Sequence, residues 1–294
     1  MAHTSDQRIG SYRLLNPVMT GRTSQVWEAI HDVRQERFAI KILLSNYRKD
    51  RDQVAFLKHE FLVGSNLNYP KIIKVHEIGV HQGTPYIVME YFPWPNLKQH
   101  VQSGVEKLAH ALPKIVLQAA QALGYMHQNG WVHRDVKPDN FLLSRKIDLR
   151  LIDFALAVRI KRGLARLLAG KTKVQGTRSY MSPEQIRCQP LDQRADIYSF
   201  GCMLHELTYG KPPFTGISSN ELLNKHLKSP PPPLEALNHN VTPEFAALVR
   251  RMLAKKADQR PESMDIFLRE FAALSIFKER PKPPREEDEQ EIAG

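Results

Sequence analysis

Two carboxylates and an amide stand where they could do chemistry together. In "HRDVKPDN" (133–140), Asp135 and Asn140 lie in a polar loop that follows a helical pattern and precedes the apolar "FLL" (141–143). A second strand-like run, "LRLID" (149–153), ends on Asp153. The three side chains therefore lie near strand ends that face one side. Two carboxylates and an amide oxygen are the hard ligands that Mg²⁺ prefers. A carboxylate not taken by metal can orient a hydroxyl and accept its proton. Each residue alone means little, since a loop Asp is most often a turn former. The ordered set is what points to chemistry.

The elements that must position this set fall into two blocks. Residues 11–44 read as strands: "YRLLNPV", "SQVWEAI" and "RFAIKIL" mix β-branched and aromatic residues in partial alternation. Residues 50–67 read as a helix with Val54, Leu57, Phe61 and Leu62 at helical spacing. "KIIKVHEIGV" and "TPYIVMEYF" read again as strands, and "PWPN" (93–96) breaks the pattern as a connector. Beyond residue 97 helices dominate. Residues 112–130 form an amphipathic pattern closing on Gly130. Residues 195–210 are apolar nearly all round, which predicts a buried helix. Thr242 and Pro243 fit the cap and first turn of another. "SPPPP" (229–233) reads as a connector between helices. The expected architecture is α+β, with a small β-rich lobe at 9–90, a hinge at 91–96 and a larger, mainly helical lobe at 97–275. Residues 276–294, Pro-rich then acidic, are expected to be a disordered tail. A cleft at the lobe junction is the default site.

Composition narrows the class. The chain has 294 residues, 42% of them hydrophobic, enough for a sizeable core. No apolar run approaches the ~20 residues of a membrane helix. The start, "MAHTSDQRIG", lacks a signal pattern. Two cysteines, Cys188 and Cys202, suggest neither a disulfide framework nor a zinc site, and a reducing cytoplasm is the simplest home. The formal charge of +11 is compatible with an anionic partner such as a nucleotide. It is not accompanied by the aromatic and basic groove pattern of a nucleic-acid binder.

On these residues the sequence resembles the eukaryotic-type protein kinases, and most of all the bacterial Ser/Thr kinases, over roughly residues 9–275. "HRDVKPDN" resembles the family's catalytic loop. The resemblance implies Asp135 as catalytic base, Asn140 as a magnesium ligand, and Asp153 as the metal-binding Asp of Asp-Phe-Gly. "FAIK" (38–41) resembles the strand whose Lys, here Lys41, holds the ATP phosphates, and Glu60 falls on the following helix where the Lys-pairing Glu lies. "GTRSYMSPE" (176–184) resembles the end of an activation segment, with Ser182 where Ala is usual. "DIYSFG" (196–201) resembles the helix whose Asp ties down the catalytic loop, and Arg260 the ion-pair partner of Glu184. Lys137 and Thr177 are similar to those of Ser/Thr-directed kinases. Val26 and Ala39 would roof a purine, Leu142 would floor it, and the backbone after Met89, through Glu90 and Phe92, would meet the adenine edge. Implied cofactors are ATP with Mg²⁺, or Mn²⁺ in its place. The implied partner is a protein bearing a Ser or Thr acceptor, and the oligomeric state is left open, a dimer included.

Two departures from the family bear on the nucleotide and metal chemistry. The glycine-rich loop falls on "MTGRTSQV" (19–26), where only Gly21 is retained and Met19 and Ser24 replace the other two glycines. Glycine permits φ > 0 and close approach to phosphates, so weaker nucleotide binding is expected. Ala155 stands where the family has the Gly of Asp-Phe-Gly. Were φ > 0 needed there, Ala would cost about 1–2 kcal/mol; otherwise it would stiffen the segment. An active kinase with altered switching is the leading expectation, and a pseudokinase acting as scaffold or allosteric partner is the alternative. Seven basic residues and no acidic one lie between Phe154 and Pro183: Arg159, Lys161, Arg162, Arg166, Lys171, Lys173 and Arg178. A phosphate on Thr172, or secondarily Ser179, would find cations there, Arg134 among them. The run 159–171 has Ile160, Leu164, Leu167 and Leu168 on one helical face, and the acidic residues at 286–291 are a candidate partner for it.

Overall fold

The computed structural model describes residues 7–160 and 175–283. Two compact units result: Met1–Pro93 with Ile152–Ala155, and Trp94–Leu151 with Leu156–Gly294.

The first unit is built on a six-stranded antiparallel sheet. Its strands are β1 (Arg8–Ile9), β2 (Tyr12–Thr20), β3 (Ser24–His31), β4 (Arg37–Leu43), β5 (Val75–His81) and β6 (Thr84–Glu90), in the order β1-β2-β3-β4-β6-β5. Alternation along β4 sorts its residues by face. Phe38, Ile40 and Ile42 join Ile9, Tyr12, Ala29, Tyr86 and Val88 in a buried cluster, leaving Ala39 and Lys41 on the other face. Helix α1 (Arg51–Gly64) starts at Asp50, whose carboxylate accepts the N–H groups of Asp52 and Gln53. Such a cap contributes about 1 kcal/mol. The inner stripe of α1 is Leu57, Glu60, Val63 and Gly64, while Leu62, placed on the apolar stripe by spacing, is 54% exposed. The reason is that Glu60 takes an inward position to meet Lys41, which rotates the buried face by about one residue. Gly64 is there for space. A Cβ would come within 2.4 Å of Val75 Cγ2 and 3.1 Å of the Phe154 ring. That contact, with the buried Phe154 seated on α1, groups residues 152–155 with the strands rather than with the helical residues around them in sequence.

The second unit is mainly helical: α2 (Leu97–Gln102), α3 (Val105–Ala109), α4 (Leu112–Gln128), α5 (Pro183–Ile186), α6 (Arg194–Tyr209), α7 (Ser219–Lys228), α8 (Leu234–Leu237), α9 (Pro243–Met252) and α10 (Met264–Ala272). Two small antiparallel pairs accompany them, β7 (Trp131–Val132) with β10 (Val158–Arg159) and β8 (Phe141–Leu143) with β9 (Leu149–Leu151). Gly130 lies just past the end of α4, as expected. Every residue of α6 from Ala195 to Thr208 is buried, which matches its all-round apolar pattern. Its polar members are hydrogen-bonded, as burial requires: Ser199 donates to the Tyr180 carbonyl at 2.7 Å and Thr208 to that of Leu204 at 2.8 Å. Thr242 caps α9 by accepting the Phe245 N–H, with Pro243 in the first turn. The proline run 229–233 joins α7 to α8. Residues 276–279 differ from the expected tail. Ile276 is buried, Phe277 bridges to Val241, and the Lys278 N–H donates to the Asn240 carbonyl at 2.7 Å. Two apolar side chains ahead of the prolines are enough to hold this stretch on the helices.

No described helix is long and apolar enough to cross a membrane.

Candidate active site

In the helical unit, Asp135 has both carboxylate oxygens engaged. Oδ1 accepts the Thr177 N–H at 2.8 Å, and Oδ2 lies 2.7 Å from Lys137 Nζ. The same ammonium donates to Thr177 Oγ1 at 2.8 Å. Lys137 thus bridges a carboxylate and a side-chain hydroxyl. Asn140 donates its amide to the Asp135 carbonyl at 2.7 Å, which leaves the Asn140 carbonyl oxygen as an acceptor.

The backbone of this loop is held in an uncommon conformation. Arg134 has φ +69°, which for a long side chain stores strain. Asp196, fully buried on α6, accepts the N–H groups of His133 and Arg134 at 2.7 and 2.9 Å and a ring nitrogen of His127 at 2.8 Å. Burial alone would raise the Asp196 pKa. The His127 hydrogen bond and the nearby His127 and His133 outweigh it, so the carboxyl is held below its ordinary value. This is the anchor expected of the motif "DIYSFG".

In the sheet unit, Lys41 Nζ lies 2.6 Å from Glu60 Oε2 and 3.9 Å from Asp153 Oδ1. Burial works against the Lys41 charge, but the two carboxylates outweigh it and hold the pKa above its ordinary value. Cross-strand register sets Met19 opposite Val26, Val26 opposite Lys41, and Ala39 opposite Met89. Five of the candidate nucleotide residues therefore share one face of the sheet. Glu90 pairs with Phe38 on the opposite parity, and its carboxylate accepts the Lys74 N–H at 3.2 Å. Phe92 is half-buried just beyond the sheet, and Leu142 sits on β8 of the other unit.

Both departures lie in ordinary backbone. The Gly21 N–H closes the β2–β3 turn on the Ser24 carbonyl at 2.9 Å, and neither Met19 nor Ser24 has positive φ. At the second departure the left-handed residue is Asp153, φ +65°, and not Ala155. Asp tolerates that region better than most residues, and its Oδ1 accepts the Ala155 N–H at 3.3 Å. Ala155 is thus unstrained, and its methyl narrows the range of the unfolded chain. Ala155→Gly is expected to destabilise the protein by about 0.4–1 kcal/mol in urea titrations; a gain in stability would mean that the position needs φ > 0.

The sequence matches the protein kinase domain family over residues 12–272. The chain belongs to that family. A kinase domain is an ATP-dependent phosphotransferase by family, and the chain is similar to several bacterial serine/threonine-protein kinases. A probable serine/threonine-protein kinase of Streptomyces coelicolor is 34% identical over 88% of this chain and 39% of its own length. The serine/threonine-protein kinase PknB of Mycolicibacterium smegmatis is 34% identical over 88% and 41%, and PknA of Mycobacterium tuberculosis 32% identical over 93% and 63%. The chain spans about two fifths of the length of the first two relatives.

The remaining kinase features are placed as follows. Arg260 grips Glu184 with two hydrogen bonds of 2.6 and 2.9 Å and lies over the Tyr198 ring. Of the basic run, Arg159 stacks on Trp131 at 4.1 Å, and Arg178 donates to Ser219 Oγ at 2.7 Å. Ser179 sits in the short turn at 178–180. Thr172, the other five basic residues, the helical face beyond Ile160 and the acidic residues at 286–291 lie outside the described residues. Spacing does not single out Glu206, which is buried on α6 and accepts from Lys98 and Tyr180 at 2.5 Å each. Nor does it single out Gln185. The available clue is that each is a long polar residue inside an otherwise apolar or capping pattern.

Proposed function

We propose that this chain transfers the γ-phosphoryl group of ATP to Ser or Thr hydroxyls of a protein substrate. The observation that carries the reading is Lys137 held between the Asp135 carboxylate and the Thr177 hydroxyl. A lysine in that position can seat an acceptor hydroxyl beside a carboxylate that takes its proton, and the Thr177 N–H and Lys137 fix that carboxylate for the task. Lys41, kept charged and aimed by Glu60, would bind the phosphates, with Met19, Gly21, Ser24, Val26, Ala39, Met89, Glu90, Phe92 and Leu142 holding the rest of the nucleotide. The donor set suits magnesium: Asp153 offers a partly exposed carboxylate and Asn140 a carbonyl oxygen. Bound with ATP, the metal would neutralise charge on the phosphoryl oxygens. Autophosphorylation of Thr172 or Ser179 belongs to the same proposal, as does Mn²⁺ as a substitute metal. The free state of Cys188 and Cys202 is in keeping with a cytoplasmic setting.

The test is transfer from γ-labelled ATP to the protein itself and to a generic basic protein. Label is expected with magnesium and should be lost in Asp153→Asn, with phosphosites mapped by mass spectrometry. No incorporation by folded protein with magnesium or manganese would favour the scaffold reading. That alternative draws its support from Met19, Ser24 and Ala155, all of which occupy backbone conformations open to any residue.

A further inference from the structure

Gln185 does two jobs with one side chain. It is the third residue of α5 and closes a capping box with Ser182: Ser182 Oγ accepts the Gln185 N–H at 3.3 Å, and Gln185 Oε1 accepts the Ser182 N–H at 3.0 Å. Glu would serve that motif as well as Gln. The difference is the other end of the amide. With Oε1 committed to Ser182, Nε2 points the opposite way and donates to the Arg134 carbonyl at 2.8 Å. Both residues are buried, at 2% and 7% exposure.

That carbonyl opens the peptide unit leading into Asp135. The chain at Gly176 passes so close that a Cβ there would lie 3.0 Å from the Arg134 oxygen, and Gly176 has φ +116°, where only glycine is at ease. The strained loop is therefore anchored at three successive backbone groups. Asp196 accepts the Arg134 N–H, Gln185 Nε2 donates to the Arg134 carbonyl, and His133 Nδ1 accepts the Asp135 N–H at 3.3 Å. Among these anchors only Gln185 comes from the segment that continues from Thr177.

We propose that Gln185 is a positioning residue: by holding the Arg134 carbonyl it sets the orientation of the Asp135 carboxylate relative to Thr177 and Lys137. The proposal rests on the reading of Asp135 as the base. The informative variant is Gln185→Glu. Ionised, it can still accept from Ser182 but turns a second lone pair on the Arg134 oxygen. Protonated, its hydroxyl restores the missing donor. Ionisable groups on the surrounding elements are Asp135, Lys137 and Arg134 on the loop, Asp196, His127 and His133 behind it, and Glu184, Cys188 and Arg260 on the other side. All are present in both proteins, so the ratio of variant to wild-type kcat isolates residue 185.

At pH 8, kcat of Gln185→Glu is expected to be roughly 10- to 100-fold below wild type, the range set by one buried carbonyl left without its donor. KM for ATP should change by no more than about twofold, because the nucleotide residues are untouched. The kcat ratio should climb as pH falls toward 6. Gln185→Leu should be slow at every pH. Hydrogen exchange followed by mass spectrometry should show faster exchange in residues 133–137 of Gln185→Leu, with the thermal midpoint retained. A flat pH ratio together with unchanged exchange at 133–137 would overturn the proposal, as would losses that merely track global unfolding. If the wild-type protein transfers no phosphate, the reading of Asp135 as the base fails by itself, and the exchange result still decides whether Gln185 holds the loop.

Discussion

Asp135→Asn is expected to lower kcat for phosphoryl transfer by about 10²- to 10⁴-fold, the usual contribution of a positioned base, in a protein that remains folded. Both the loss and the retained fold follow from the geometry. Asn keeps one oxygen to accept the Thr177 N–H, now 2.8 Å from Oδ1, so residues 176–177 keep their attachment. The other end becomes an NH₂ facing the Lys137 ammonium, which sits 2.7 Å from Oδ2 in the native protein. An ion pair is replaced by two donors pointing at each other. Lys137 should then shift, and with it the seat for the acceptor hydroxyl, so KM for a peptide acceptor rises while KM for ATP is held by the other residues. Steady-state kinetics with both substrates varied, and a thermal midpoint within a few degrees of wild type, check this. If kcat were retained while the acceptor KM rose, Asp135 would be an orienting group and not a base.

How much of this was legible in the sequence depended on whether the signal was local. Asp135 and Asn140 could be read as one polar cluster because they lie within six residues of each other, whereas their kinase roles and that of Lys137 came from the family resemblance. The buried α6 could be read because a helix apolar on all sides has no face to offer to water and must lie in the interior. Lys41 with Glu60, and Glu184 with Arg260, are separated by 19 and 76 residues, and only the family resemblance joined them. Hydrophobic spacing located α1 but put Leu62 on its apolar stripe, whereas the charge on Glu60 is satisfied inside by Lys41 and Leu62 is turned out. The supposed strain at the altered glycines was also beyond reach. Which residue of "IDFA" takes the left-handed conformation is decided by tertiary contacts: Phe154 is seated on α1 and Asp153 lies near Lys41, which puts the positive φ on Asp153. Gln185 was invisible for a related reason. A capping box reads from sequence as a helix start, but the partner of its spare amide lies 51 residues away.

The largest effect on stability is expected from Arg260→Ala. The Arg260 side chain is fully buried and makes four hydrogen bonds: two to Glu184, one from Nε to the Ala254 carbonyl at 2.9 Å and one to the Arg194 carbonyl at 2.8 Å. It also lies 4.9 Å from the centre of the Tyr198 ring. Removing it leaves the Glu184 carboxylate, with a side chain only 11% exposed, without its charge partner. Breaking a buried pair from one side costs about 3–5 kcal/mol, most of it the penalty of the stranded charge. In this chain that corresponds to a thermal midpoint lower by on the order of 10 °C. The decisive comparison is the double variant Arg260→Met with Glu184→Leu. It removes both charges and fills much of the volume, so it should recover a large part of the loss even though more hydrogen bonds are gone. A double variant no more stable than Arg260→Ala would move the cause to the Ala254 and Arg194 carbonyls, which both variants leave unsatisfied. Kinase activity separates the two causes further. Glu184 precedes Gln185 directly, so a stranded Glu184 that relaxes toward solvent would pull α5 off the Arg134 carbonyl and lower kcat at temperatures where the protein is still folded. The apolar double variant, which has no charge to relocate, should keep its kcat.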